Sequence, residues 1–312
     1  MLRIRQPWPS QVQTREPIIV KEACLQTTWQ SLFTDWDIPL WVTGALVATS
    51  FIYVRGWRAL RRTRPQTLPA WRLWAFLSGL FAIFTAVSSP LDTFSETLLF
   101  MHMAQHFVLM SVAPPLIVLG APFVPMLRGL PRPIVQSLGG FLFRSPLVSS
   151  LRRLFSRLWF AWLAMNATYL GWHIPKAYEF ALASEKWHNF EHLTFLLTGI
   201  LFWWPILRPW PTRSRFNAWT IIPYLLTSDI VNTGLSASLC FSGRLLYPSY
   251  AVADRPFGLD ALKDQIAAGA FMWVFGSVVF LIPAIYLTAQ LLANGRLLDE
   301  KAGLERVRAM VE

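Results

Sequence analysis

The sequence predicts an all-α membrane protein, a polytopic bundle of seven transmembrane helices. Of its 312 residues, 54% are hydrophobic and only 14% are charged, whereas a soluble domain usually carries about 25% charged residues. Sixteen tryptophans and a mean hydropathy of +0.41 point in the same direction. Charge this sparse is typical of a chain that crosses a membrane several times.

Seven runs with little or no charge are long enough to cross a bilayer, at about 20 residues per crossing. They cover residues 38–55, 72–90, 97–119, 157–174, 188–207, 216–240 and 265–292. The third run leads into APPLIVLGAP, whose prolines and glycine are expected to bend or end the helix. These runs predict a transmembrane domain over 38–292, preceded by an extracytoplasmic tail over 1–37 and followed by a cytoplasmic tail over 293–312.

The basic residues predict the orientation. Nineteen of the 28 lysines and arginines lie in the C-terminal tail and in the loops 55–72, 120–157 and 208–215, and these three loops contain no acid. Because cytoplasmic loops are enriched in basic residues, the N-terminus is expected outside and the C-terminus in the cytoplasm. The arginines cluster between apolar runs rather than along one helix face, so the formal charge of +11 does not indicate a nucleic-acid partner.

All five histidines fall in the outer half of predicted spans or at their outer ends. The third span carries His102 and His106 in MHMAQH, the fifth carries His188 and His192 in HNFEH, and His173 ends the fourth in LGWHIP. Each pair is four residues apart and therefore shares one helix face. Ionisable groups inside a membrane are costly and usually face a partner or a ligand. A shared metal or cofactor site is therefore predicted, although any single histidine could instead cap a helix.

The predicted centre of this site is His102, His106 and His192. His173 and His188 are expected nearer the rim, where His188 would receive metal from a soluble donor.

Methionines beside these histidines favour copper as the metal. Imidazole suits copper, zinc and iron, and thioether sulfur selects Cu(I) among them. Met103 and Met110 lie three residues before and four residues after His106, so both can share its face. Met272 is expected at a similar depth in the seventh span. Methionine also fills membrane cores, so plain packing remains the alternative for each.

Two acids and two cysteines have open roles. Asp229, in LLTSDIVNTG, is the acid expected well inside a span, and it could fix a histidine tautomer or stabilise a local helix distortion. Asp264 opens the last span, where an acid complements the helix dipole. Cys24 and Cys240 are both expected on the outer side, where they could form a disulfide, bind copper or be unrelated.

Several motifs, taken in order, resemble the CtaG family, the caa(3)-type cytochrome c oxidase assembly factors of bacteria. They run from about Asp92 to Trp273 and comprise SPLDTFSETLLF, HMAQH, APPLIVLGAP, HIPKAY, HNFEHLTFLLTGILFWWPIL and KDQIAAGAFMW. The resemblance implies a seven-helix plasma-membrane protein that helps to make active heme–copper oxidase, through copper delivery. It assigns a place in the site to the five histidines, and it also matches Asp92, Asp264 and Gln265.

Two other functions remain open. Paired histidines could ligate b-type heme in a membrane oxidoreductase or electron carrier. A copper transporter would need a polar path below His106, where the sequence offers little beyond Ser111 and Asn166. Catalysis is not expected, because the sequence shows no nucleophile–base–acid constellation and no phosphate-binding loop. The expected partners are cytochrome c oxidase subunits, a soluble extracytoplasmic copper donor and membrane lipid.

Overall fold

The regular structure of the chain is helical, as predicted. The computed structural model describes residues 36, 38–63, 65–137, 145, 150, 153–155, 157–211, 216–252 and 259–311, with side chains up to residue 293. The helices that build and surround the histidine site are α1 (Leu40–Arg61), α2 (Ala70–Ser88), α3 (Pro90–Ser95), α4 (Leu99–Phe107), α5 (Ala113–Leu119), α6 (Phe123–Gly129), α7 (Leu158–Trp172), α8 (Pro175–Leu182), α9 (Glu185–Leu207), α10 (Ala218–Phe241), α11 (Ser249–Val252) and α12 (Ala261–Val311).

Among the described residues, four helical stretches are long and apolar enough to cross a membrane. They are Ala70–Ser88, Leu99–Leu119, Glu185–Leu207 and Ala261–Ala293, which correspond to the second, third, fifth and seventh predicted spans. Helices α1, α7 and α10 occupy the positions of the other three. The chain is therefore a helical membrane protein, and the count of seven spans and the orientation stay predictions.

The stretch Leu99–Leu119 is the central one. In its most apolar window 61% of the residues are buried inside the bundle, against 22–33% in the other three candidate spans. It packs against α2, α9 and α12. Polar side chains on this stretch therefore meet other helices rather than lipid.

The prolines of APPLIVLGAP do not break the central stretch. Helix α4 continues through a π-helical segment, Val108–Val112, into α5, which contains two prolines in its first turn. A proline ring clashes with the carbonyl four residues before it, and the wider π turn accommodates that clash. Gly199 of α9 packs here so closely that a Cβ would lie 2.8 Å from the Met110 carbonyl oxygen. The helix ends at Gly120, after the first two prolines.

The two ends of the transmembrane domain differ in what the structure describes. Helix α12 runs unbroken from Ala261 to Val311, so the boundary expected at 292 falls inside a helix. Nearly all of the predicted N-terminal tail, including Cys24, lies outside the described residues. Cys240, close to the end of α10, is a free cysteine.

Candidate metal centre

Three helices bring the five histidines together. His102 and His106 lie on α4, His188 and His192 on the first turns of α9, and His173 caps the end of α7. Ring centroids are 4.2 Å apart within each pair. They are 5.1 Å apart between His102 and His188 and 5.4 Å apart between His106 and His192. The ring centroid of His173 lies 6.2 Å from that of His106. Four of the rings are buried, and the cluster is most open at His188.

A carboxylate joins the most compact part of this group. His102, His106, His188 and Glu191 each offer a ligand atom, and these atoms lie within 4.8 Å of one another. We call these four residues the imidazole–carboxylate cluster. Glu191 is only 1% exposed, and its Oε1 is 3.7 Å from His106 Nε2. His188, which was expected nearer the rim, offers its ligand atom to this group. His192, expected at the centre, packs beside the cluster, with its ring 4.2 Å from that of His188 and 5.4 Å from that of His106.

The ligand atoms of the cluster are largely unpartnered. Within the part of the chain that the structure describes, no hydrogen bond is made by His102 Nε2, His188 Nε2, either ring nitrogen of His106 or either carboxylate oxygen of Glu191. An unsatisfied buried polar group costs about 1–3 kcal/mol, and a charged one costs more. A single cation could take one lone pair from each of these four residues. The cluster therefore has the chemistry of a ligand site rather than of a structural network.

Tyr250 fixes the tautomer of His102. Its hydroxyl donates to the Ser95 carbonyl oxygen at 2.8 Å, so the oxygen can accept from His102 Nδ1, which lies 3.2 Å away. Burial raises the pKa of Tyr250, and the hydroxyl therefore keeps its proton. With the proton of His102 on Nδ1, the unpartnered Nε2 carries the lone pair that faces the cluster. Orientation of a histidine ligand by such an outer contact is common in metal sites.

The predicted sulfur ligands lie next to the cluster. Met103, Met110 and Met272 line a small cavity together with His173 and His106. His173 Nε2 is 3.2 Å from the Met103 sulfur. The ring of His106 is therefore common to the cluster and to the cavity.

The three acids singled out from the sequence have distinct positions. Asp264 accepts hydrogen bonds from the backbone N–H groups of Leu99 and Phe100, at 2.7 and 3.2 Å, so it caps the first turn of α4. Asp92 accepts from the Gln105 side chain. Both acids thereby hold the helix that carries His102 and His106. Asp229 instead accepts from Ser277 Oγ at 2.7 Å, so its hydrogen bond fixes no histidine tautomer.

Two functional candidates were missed at the sequence level. Glu191 lies three residues after His188, a spacing that places both side chains on one helix face, and this spacing was an available signal. Tyr250 gives no comparable signal. It sits on a four-residue helix more than 140 residues from His102, and only the tertiary fold brings the two together.

A bundle of apolar helices around a buried imidazole–carboxylate cluster defines a class: a helical membrane protein with a candidate metal centre. Within that class, the chain belongs to the family of cytochrome c oxidase caa3 assembly factors, Caa3_CtaG, whose family model matches residues 51–294. This match confirms the resemblance seen in the motifs.

Individual relatives carry less information. Curated proteins of Mycobacterium leprae and Mycobacterium tuberculosis, both described as uncharacterized, are 25% identical over 271 and 284 residues. Each alignment covers 83% of this chain, and the chain spans about 40% of the length of these relatives. No solved structure matches the chain.

Proposed function

We propose that the protein assists the assembly of a caa3-type cytochrome c oxidase in the bacterial plasma membrane by binding copper at the imidazole–carboxylate cluster and passing it to the oxidase. The family description supports the assembly role. One observation supports the copper step: buried ligand atoms from His102, His106, His188 and Glu191 converge without hydrogen-bond partners. The protein is then a carrier and not an enzyme, with Cu(I) as its cargo.

The spacing of the cluster favours one small ion over heme. Four ligand atoms within 4.8 Å of one another need to close in by only about 1 Å to share a single ion, since bonds from a metal to nitrogen or oxygen are about 2 Å long. Two histidines that ligate heme must instead lie on opposite faces of a wide macrocycle. Purified protein is therefore expected to carry copper and to show no Soret band.

The choice of copper rests on the ligands and on the target. Imidazole binds copper and zinc alike, and a heme–copper oxidase must receive copper during its assembly. Thioethers on the same helix as His102 and His106 add preference for Cu(I). Membrane lipid surrounds the apolar helices, and subunits of the oxidase are the proposed recipients.

The half-buried ring of His188 is the proposed loading point. It lies near the start of α9, and it is the most open member of the cluster. A soluble donor on the extracytoplasmic side would transfer copper to His188 first. The ion would then gain His102, His106 and Glu191 as ligands, which desolvate it progressively.

The test compares two cluster variants with a half-buried acid outside the cluster. His106→Ala and Glu191→Gln each remove a proposed ligand, whereas Asp229→Asn changes an acid on α10 that bonds to Ser277. Loss of a ligand should weaken copper binding by more than the roughly 10–100-fold that loss of an outer contact costs. Oxidase from a host that carries either cluster variant should be deficient in copper, at normal abundance of the variant, while Asp229→Asn behaves as the wild type.

Abundance must be measured in parallel, because His106 is deeply buried and its loss could destabilise the bundle. Cluster variants that accumulate normally, bind copper as tightly as the wild type and support full oxidase activity would overturn the proposal.

A further inference from the structure

A small cavity beside the cluster concentrates soft ligands. It encloses about 20 Å³, which is room for a single water-sized species. Three of the eight methionines of the chain line it, together with two histidines: Met103, Met110, Met272, His106 and His173. All five side chains are buried.

The contact between His173 and Met103 lacks a hydrogen-bond donor. His173 Nδ1 lies 2.7 Å from the Tyr169 carbonyl oxygen, and a carbonyl can only accept, so this nitrogen carries the proton. In a neutral imidazole the other nitrogen, Nε2, is then an acceptor. It faces the Met103 sulfur, also an acceptor, at 3.2 Å. Two lone pairs this close, without a proton between them, are relieved by a cation that both can bind.

Two further polar side chains of the wall, Tyr169 and Asn232, are engaged in hydrogen bonds. Tyr169 donates its hydroxyl proton to Asn232 Oδ1 at 2.9 Å, and Asn232 Nδ2 donates to the Met272 carbonyl oxygen at 3.3 Å. The backbone of His173 is held by the Tyr247 hydroxyl, which donates to its carbonyl oxygen at 3.0 Å. The imidazole of His173 is therefore held in place, with its Nε2 facing the Met103 sulfur.

We infer that the cavity is a second metal site, specific for Cu(I), in which His173 Nε2 and the Met103 sulfur are ligands and a further methionine of the wall completes the coordination. A Cu–N bond of about 2.0 Å and a Cu–S bond of about 2.3 Å allow two ligands of one ion to be up to about 4.3 Å apart. The observed 3.2 Å lies within that limit. The inference deepens the proposed function, since it assumes the same cargo, but its ligands differ from those of the cluster.

The two proposed sites differ in the chemical hardness of their ligand atoms. The cluster combines imidazole with a carboxylate, a ligand set that also accepts zinc, whereas thioether sulfur strongly favours Cu(I). Because His106 borders both, an ion can leave the cluster for the cavity without crossing an apolar layer. The cavity would then retain copper and reject zinc.

The experiment uses the full chain in detergent, with Cu(I) supplied from a competing chelator, and with Ag(I) and Zn(II) as soft and borderline probes. Met103→Leu keeps the volume of the core but removes the sulfur. Met165→Leu is the matched control, because Met165 is equally buried, at 2%, on α7. Copper-edge X-ray absorption detects sulfur bound to copper directly.

Wild type and Met165→Leu should each bind two Cu(I), one of them with sulfur in its coordination shell. Met103→Leu should lose one equivalent and all sulfur scattering, and its Ag(I) binding should fall while its Zn(II) binding is unchanged. Glu191→Gln should weaken the other equivalent and leave the sulfur signal intact. Copper bound without sulfur scattering in the wild type, or an unchanged sulfur signal in Met103→Leu, would overturn the cavity site. A sulfur signal that disappears only in Met103→Leu, with copper at full affinity in Glu191→Gln, would retain the cavity and reject the cluster.

Discussion

The imidazole–carboxylate cluster and the polar side chains between α7, α10 and α12 are two buried polar regions of one bundle, yet they differ in how their hydrogen bonds are satisfied. In the second region Asn166 donates to the Trp162 carbonyl oxygen and to Ser228 Oγ. Ser228 donates to the Tyr224 carbonyl oxygen. Asp229 pairs with Ser277 and Tyr169 with Asn232. We call these side chains the α7–α10–α12 network.

The cluster shows the opposite state. Ligand atoms of its three histidines and of Glu191 lie within 4.8 Å of one another, and most of its ring nitrogens and carboxylate oxygens make no hydrogen bond in the described part of the chain. This difference in hydrogen bonding separates two uses of polar side chains inside the bundle. Polar groups that bond to one another hold helices together. Polar groups without hydrogen-bond partners are available to bind a cation. The engaged amide of Asn166 also gives no support to a polar transport path below His106.

The largest difference between variants of the two regions is expected in the thermal unfolding temperature when copper is added. A ligand present at 100 times its dissociation constant stabilises the folded state by about 2.7 kcal/mol. Cu(I) should therefore raise the thermal unfolding temperature of the wild type and of Asp229→Asn in the network. His106→Ala should show a smaller increase, because it loses a cluster ligand and keeps the proposed cavity ligands His173 and Met103. An equal increase in all three proteins would remove the distinction between the two regions.

A smaller effect is expected from Tyr250→Phe, which leaves every proposed ligand in place. Without the hydroxyl, His102 Nδ1 loses its contact at 3.2 Å, and the ring is free to change tautomer or rotate. Copper affinity at the cluster should fall about 10–100-fold. The control is Tyr224→Phe, whose hydroxyl donates to the Phe202 carbonyl oxygen at 3.1 Å. Equal affinities in a chelator competition would show that Tyr250 does not orient the ligand.

The smallest effect is expected in the network itself. Asn166→Leu removes two hydrogen bonds, while Ser228 retains its bond to the Tyr224 carbonyl oxygen. The free energy of unfolding should fall by about 1 kcal/mol, with copper affinity unchanged. Chemical unfolding in detergent and a copper titration measure the two quantities. Copper affinity that fell along with stability would instead place Asn166 on the path of the ion.

Helix positions were largely predictable from the sequence, because long apolar runs impose them. The stretches 72–90, 97–119 and 188–207 lie within a few residues of Ala70–Ser88, Leu99–Leu119 and Glu185–Leu207. The pairing of histidines on common faces followed from their spacing of four. The family assignment rested on motif order, and the family model confirms it over residues 51–294.

The composition of the cluster was harder to predict, since it depends on how α9 rotates against α4. A rotation of about 100° separates successive residues of a helix. Whether His188 or His192 offers its ligand atom to His102, His106 and Glu191 therefore depends on packing contacts, among them the close approach of Gly199 to α5. Glu191 joins the cluster through the same rotation. Asp229, the acid that the sequence places well inside a span, accepts a hydrogen bond from Ser277 on α12 rather than from a histidine.

The π-helical segment Val108–Val112 is equivalent to the insertion of one residue into an α-helix. A π turn contains one residue more than an α turn does. This extra residue sets the rotation of α4 about the helix axis relative to α5. Deleting one residue from this segment would restore regular α winding. It would also turn His102 and His106 by about 100° relative to α5. The proposed copper ligands of α4 would then face a different neighbour while α5 stayed packed on Gly199. One residue in the middle of an apolar helix therefore decides whether the proposed metal ligands can face one another.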